Sequence, residues 1–130
     1  MIGLDTNVLV RYIMQDDAKQ SLAATRLIEG LTAAQQGYIS LVSIVEISWV
    51  LETAYSLGKT QVIAALGLLC TVDVFKIDQA SAVKAALRAF ATSTTDFTDH
   101  LIERLSAQAG CDRTMTFDKA AAKSGGMVLL

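Results

Sequence analysis

Short apolar runs alternate along this chain with longer stretches whose apolar residues recur at helical spacing, the pattern of an α/β domain with a mainly parallel central sheet. Strands are predicted over Ile2 to Leu4, Tyr38 to Leu41, Val72 to Ile77, Met115 to Phe117 and Met127 to Leu129. Each is brief and mostly apolar, as strands covered on both faces are.

Helices are predicted between them. Thr6 to Met14 is the first. Asp16 to Gln35 is the second, with Asp16 and Asp17 at its positive N-terminal end and Leu22, Leu27, Ile28 and Leu31 as an apolar stripe. Ser43 is the expected N-cap of a third helix running to about Ser56, where Leu57-Gly58 reads as a stop. Thr60 to Leu69, Gln79 to Ala91 and Phe97 to Ala109 follow, the last closed by Gly110. Proline is absent, so glycine and polar caps alone must set the helix ends, and Gly125-Gly126 marks a turn before the last apolar residues.

With 130 residues and no repeat, low-complexity tract or linker, a single domain over residues 1–130 is expected. A hydrophobic content of 52% against 18% charged residues exceeds that of an average soluble domain and points to a subunit boundary as well as a core. Glu46 and Glu52 interrupt the most apolar stretch, and no basic segment precedes an apolar one at the start, so a soluble, cytoplasmic protein without membrane span or signal peptide is expected. Cys70 and Cys111 lack a motif spacing and read as small buried hydrophobes. The net charge of −2 does not advertise a nucleic-acid partner, so any such contact must come from local Lys and Arg patches.

Four acids change the picture. Asp5 ends the first apolar run, Glu46 lies inside an apolar helix, Asp99 stands near the start of another, and Asp118 follows Met115-Thr116-Phe117. Asp5 by itself is explained by helix capping. Ligands in doubly wound sheets, however, bind outside the carboxyl ends of strands, and Asp5 and Asp118 share that address. An ionised Glu46 among Leu41 to Leu51 is expected to be desolvated unless it meets a cation or a polar cavity. Asp96 fits the cap of the helix that carries Asp99 three residues later, and it serves equally as cap or ligand. Carboxylates gathered in one cleft repel each other unless something positive sits between them, so the cluster implies a divalent metal ion and a metal-dependent nuclease.

The one histidine, His100, points about 100° away from Asp99 on a helix, and the chemistry is expected to run without it. Trp49 and the Phe and Tyr residues read as core or interface packing rather than base-stacking platforms.

Met1-Ile2-Gly3-Leu4-Asp5-Thr6-Asn7-Val8-Leu9, Glu46 in its apolar helix, Asp96-Phe97-Thr98-Asp99-His100-Leu101-Ile102 and Thr116-Phe117-Asp118 together resemble the PIN domain, in particular the VapC-type toxin ribonucleases of bacterial toxin–antitoxin pairs. The resemblance covers essentially the whole chain. It implies a three-layer α/β/α sandwich, Mg²⁺ or Mn²⁺ held by acids, endonucleolytic cleavage of RNA, inhibition by a small antitoxin, and a homodimer. Asp5, Glu46 and Asp99 match the core acids, Asp118 a more variable fourth and Asp96 an additional one. Thr6, Asn7 and Thr116 match polar positions suited to hydrogen-bonding the ligands. Glu103-Arg104 departs from the small apolar residues usual at that point.

Oxygen-only sites suit Mg²⁺ or Mn²⁺, and the expected reaction is attack of an activated water on the phosphodiester, with no covalent nucleophile. Arg11 and Arg113 are candidate RNA contacts. Two other readings compete. A receiver-type phosphoacceptor would need paired acids after the first strand and a Lys after the last; Asp5 stands alone and that Lys is missing. A catalytically dead PIN-fold binding module would be expected to have lost one of the acids.

Overall fold

The apolar runs near positions 2, 38 and 75 form three parallel strands in the computed structural model, which describes residues 1–130. These are β1 (Ile2–Gly3), β2 (Gly37–Ile39) and β3 (Phe75–Ile77), in the order β1-β2-β3, with Ile2 opposite Gly37 and Tyr38 opposite Lys76. Parallel neighbours require crossovers. Here α1 (Thr6–Met14) and α2 (Ala18–Glu29) connect β1 to β2, while α3 (Leu41–Thr53) and α4 (Lys59–Thr71) connect β2 to β3. All belong to the first of two structural units, Met1–Asp78.

Its core contains Leu9, Ile39, Ile44, Ile47, Leu51, Val62, Leu66 and Leu69, all fully buried. Burying an aliphatic side chain of this size contributes about 1.5–3 kcal/mol. Tyr12 meets Phe75 edge-on, with ring centroids 6.5 Å apart. Gly37 packs closely, since a Cβ there would lie 2.7 Å from Leu4 Cδ1 and 2.9 Å from Leu31 Cδ1 and would push both leucines aside.

The second unit, Gln79–Leu130, holds α5 (Ala80–Ala91), α6 (Phe97–Gln108), β4 (Met115–Thr116), α7 (Lys119–Ser124) and β5 (Val128–Leu129). β4 and β5 pair in parallel, with α7 as their crossover. α5 packs against α6, burying Val83, Leu87, Phe90, Phe97 and Leu101. Gly126 takes φ +75° in the turn into β5, a conformation that favours glycine.

Several boundaries differ from those read in the sequence. α2 begins at Ala18 because Asp17 accepts from Gln20 N at 2.8 Å and so occupies the cap. It ends at Glu29, and Thr32 and Gln35 close a separate turn, so the helix does not reach Gln35. Ser40, not Ser43, caps α3: its hydroxyl accepts from Ser43 N at 3.2 Å, and Ser43 is buried in the first turn. α3 stops at Thr53; Ser56 turns into the left-handed region and Gly58 is the cap of α4 rather than a stop for α3. α7 carries no large apolar stripe, so periodicity gives no sign of it. Cys70 is half-buried, but Cys111 is exposed just past the end of α6, which corrects its reading as a buried hydrophobe. No helix is long and apolar enough to cross a membrane.

Candidate functional site

In the first unit the site is built where β1 turns into α1. Asp5 is extended, and its Oδ1 accepts the Thr6 amide at 2.8 Å, so it caps α1. Its Oδ2 makes no hydrogen bond, which leaves one carboxylate oxygen for a ligand. Capping and ligation are therefore compatible at this residue. Thr6 is buried beside it, and the Thr6 hydroxyl has no partner at all. Such an atom costs about 1–3 kcal/mol unless something else satisfies it.

Glu46 reaches the same cleft from α3, which packs against α1. Of the alternatives the sequence leaves open, a desolvated carboxylate or one in a polar cavity or beside a cation, Glu46 takes the polar cavity: it is exposed on the cleft. α3 buries Ile44, Ile47, Ser48 and Leu51 on one face, while Glu46, Val50 and Ala54, spaced four apart, line the cleft. Apolar neighbours in sequence are thus not its neighbours in space. Trp49 and Val42 are exposed as well, at 53% and 68%.

The cleft has a volume of about 580 Å³ and is walled by Asp5, Thr6, Asn7, Arg11, Asp16 and Glu46 with Val10, Val50, Ala54 and Tyr55. Arg11 Nη1 donates to Asp16 Oδ1 at 3.0 Å and to the Tyr55 hydroxyl at 3.3 Å; Arg11 Nε donates to Gln20 Oε1 at 2.8 Å. Tyr55 in turn donates to Asp16 Oδ2 at 2.8 Å. The Tyr55 hydrogen bond, followed by Arg11, holds the Asp16 carboxyl below its ordinary pKa, while the bond to Asp16 pushes the Tyr55 phenol up. Asp16 and Tyr55 were not among the sequence candidates: Asp16 reads as a helix-terminal acid and Tyr55 as packing. Their one sequence signal is that both are polar-tipped residues near helix ends.

In the second unit Asp96 caps α6, its Oδ1 accepting from Asp99 N at 3.1 Å. Asp99, in the first turn, accepts a short hydrogen bond from the Thr95 hydroxyl, a buried partner the sequence reading missed. Asp118 caps α7, its Oδ1 accepting from Ala120 N at 2.8 Å and Ala121 N at 3.1 Å. Thr116 Oγ1 accepts from Asp118 N at 3.0 Å, so Thr116 fixes the backbone of the acid rather than its carboxylate. The Asp96 carboxyl is pushed above its ordinary pKa, first by partial desolvation and then by Asp99 and Asp118. Asp96 is exposed at the start of α6, with the acids Asp99 and Asp118 close enough to act on its carboxyl. His100 is buried, one step from Asp99.

No three carboxylate, His or Cys side chains gather into a ready-made metal cage. The donors of the first unit nevertheless fit a hard cation: the Asp5 and Glu46 carboxylates on one cleft, and the orphaned buried hydroxyl of Thr6, which lines the same cleft. Arg113, the second RNA-contact candidate, is exposed in the segment before β4.

Comparison with curated proteins finds no match. The PIN domain family model, in contrast, matches residues 2–126. Together with the parallel strand pairings, this match fits the three-layer α/β/α PIN-like fold. The chain belongs to the PIN domain family, generally a metal-dependent nuclease fold.

Proposed function

We propose that this chain is a metal-dependent endoribonuclease acting as the toxin of a type II toxin–antitoxin pair, with Asp5, Glu46, Asp99 and Asp118 as its catalytic carboxylates. The observation that carries the reading is that Asp5 and Glu46 line one cleft together with Thr6, whose hydroxyl is buried without a partner. Both units are read as one nuclease domain over residues 1–130, in keeping with a family match that runs through each of them.

In the first unit Asp5 Oδ2 and the Glu46 carboxylate would hold the ion, with Thr6 and Asn7 as the polar residues beside them; in the second, Asp96, Asp99 and Asp118 are the proposed metal-binding acids, with Thr116 beside Asp118. An oxygen donor set favours Mg²⁺ or Mn²⁺ over softer metals. When bound, such an ion supplies an activated water and neutralises charge developing on the phosphodiester. The chain's own residues have narrower tasks. Asp5 is fixed by its own cap, so its outer oxygen needs no reorganisation to meet a ligand. Glu46 is presented from a rigid helix whose opposite face is locked in the core.

Partners and location follow from the same reading: an RNA substrate, a small antitoxin, a second copy of the chain, and the cytoplasm. The purified chain should cut single-stranded RNA with Mg²⁺ or Mn²⁺, stop with EDTA, and lose activity at least about a hundredfold in Asp5→Asn and in Asp99→Asn while staying folded. Cleavage by both variants at the wild-type rate would overturn the assignment. A short upstream reading frame encoding a DNA-binding protein that silences the activity would support the toxin role; a nuclease that no such protein inhibits would remove it.

A further inference from the structure

We propose that Arg11 is the phosphate-binding cation of the first unit's cleft, and that Gln20, Asp16 and Tyr55 are positioning residues that lock its guanidinium for that task. The inference rests on the nuclease reading above and deepens it by naming how the substrate's backbone is held.

A guanidinium has five N–H donors. In Arg11 the Nε donor goes to Gln20 and Nη1 goes to Asp16 and Tyr55, while Nη2 has no protein acceptor. Arg11 projects from α1, Asp16 lies between α1 and α2, Gln20 belongs to α2 and Tyr55 follows α3. Three separate segments thus hold Nε and Nη1 of a planar group and leave Nη2 without a protein acceptor. A side chain fixed in this way loses less conformational freedom on binding than a free one.

Charge gives the reason for the arrangement. Asp5, Glu46 and Asp16 all line this cleft, and Arg11 is the one cation among the lining residues. A phosphodiester approaching three carboxylates is repelled unless a donor of opposite charge receives it. Arg11 is that donor, and its pairing with Asp16 keeps it aimed without consuming Nη2.

The test is binding of a labelled single-stranded oligoribonucleotide in EDTA, followed by anisotropy across a potassium chloride series, beside steady-state cleavage with Mn²⁺. Arg11→Gln should weaken binding about tenfold and reduce the slope of log affinity against log salt by about 0.7, the value for one lost phosphate contact on a single strand. Arg11→Lys should restore the slope but only part of the affinity, since an ammonium cannot bridge the three acceptors. Tyr55→Phe should raise KM about threefold with kcat unchanged, a split that a purely structural role would not produce. Unchanged affinity and slope in Arg11→Gln overturn the proposal. Should that variant fail to fold, a wild-type KM in Tyr55→Phe together with wild-type affinity in Arg11→Lys overturns it instead. Because binding is read without metal, Arg11-dependent binding without cleavage would sink the nuclease reading and leave this one standing.

Discussion

Asp5 and Thr6 share one turn but divide its work: the Thr6 amide donates to Asp5 Oδ1 at 2.8 Å, while the Thr6 hydroxyl is buried and bonds to nothing. An unsatisfied hydroxyl is a stability defect in the metal-free chain and an asset once a ligand arrives. Thr6→Val, which keeps the shape and removes the orphan, should therefore raise metal-free stability by about 1 kcal/mol and weaken Mn²⁺ binding. Urea unfolding in EDTA and titration calorimetry with Mn²⁺ read the two effects. A destabilised variant with wild-type Mn²⁺ affinity would show that the hydroxyl serves packing alone.

Asp118 carries two jobs on two oxygens. Oδ1 caps α7, and Oδ2 makes no hydrogen bond. Asn retains the cap, whereas Ala loses it. Asp118→Asn should leave stability within about 0.5 kcal/mol of wild type yet weaken Mn²⁺ binding, and Asp118→Ala should weaken Mn²⁺ binding and also cost about 1 kcal/mol of stability. Equal Mn²⁺ affinity in wild type and Asp118→Asn would confine this acid to capping.

Most of the element order is legible in the sequence because strand and helix periods differ and because Asp5, Asp17 and Asp96 are polar residues placed at helix starts. α1 is read to the residue for that reason. α3 is displaced by its cap: Ser40 and Ser43 both offer a hydroxyl, and only the end of β2 at Ile39 decides between them. α7 escapes notice since Lys119 to Ser124 has no apolar stripe, and Asp118, already read as a site acid, gives no further sign of being a cap. The Asp5–Glu46 cleft is legible as residue types with an address in the fold. The Arg11–Asp16–Tyr55 linkage is not, because Tyr55 lies 44 positions from Arg11 and only packing of α1 against α3 brings them together.

The raised Asp96 pKa has a pH consequence. A carboxyl whose folded pKa exceeds its ordinary value of 3.8 binds its proton more tightly when folded, so stability falls as pH rises from about 3.8 through the folded pKa. Asp96→Asn keeps the cap and removes the charge. In EDTA the variant should match wild type below that window and be the more stable of the two above it, near neutral pH. Thermal melts across a pH series check the sign; a variant less stable than wild type at neutral pH would show that Asp96 is held by favourable contacts, not crowded by Asp99 and Asp118.

Val42, Glu46, Trp49 and Thr53 occupy one exposed face of α3, and two of them are large apolar residues, Val42 at 68% and Trp49 at 53% exposure. Leu68 on α4 adds a third exposed apolar side chain at 53%. Single exposed apolar residues are ordinary, but a helix with one apolar face buried and a second presented to solvent is the pattern of an association surface. A second copy of the chain is the proposed occupant. Such self-association is isologous, so each substitution acts on both sides of the interface. Trp49→Glu should raise the dimer dissociation constant at least about tenfold, whereas the same change at exposed Leu22 on α2 should not. If the clefts of the two copies share one RNA groove, the monomeric variant should also bind RNA less tightly. Light scattering across a concentration series reads the mass, and a wild-type chain that stays monomeric as it is concentrated would remove both the dimer and any RNA groove shared between two copies.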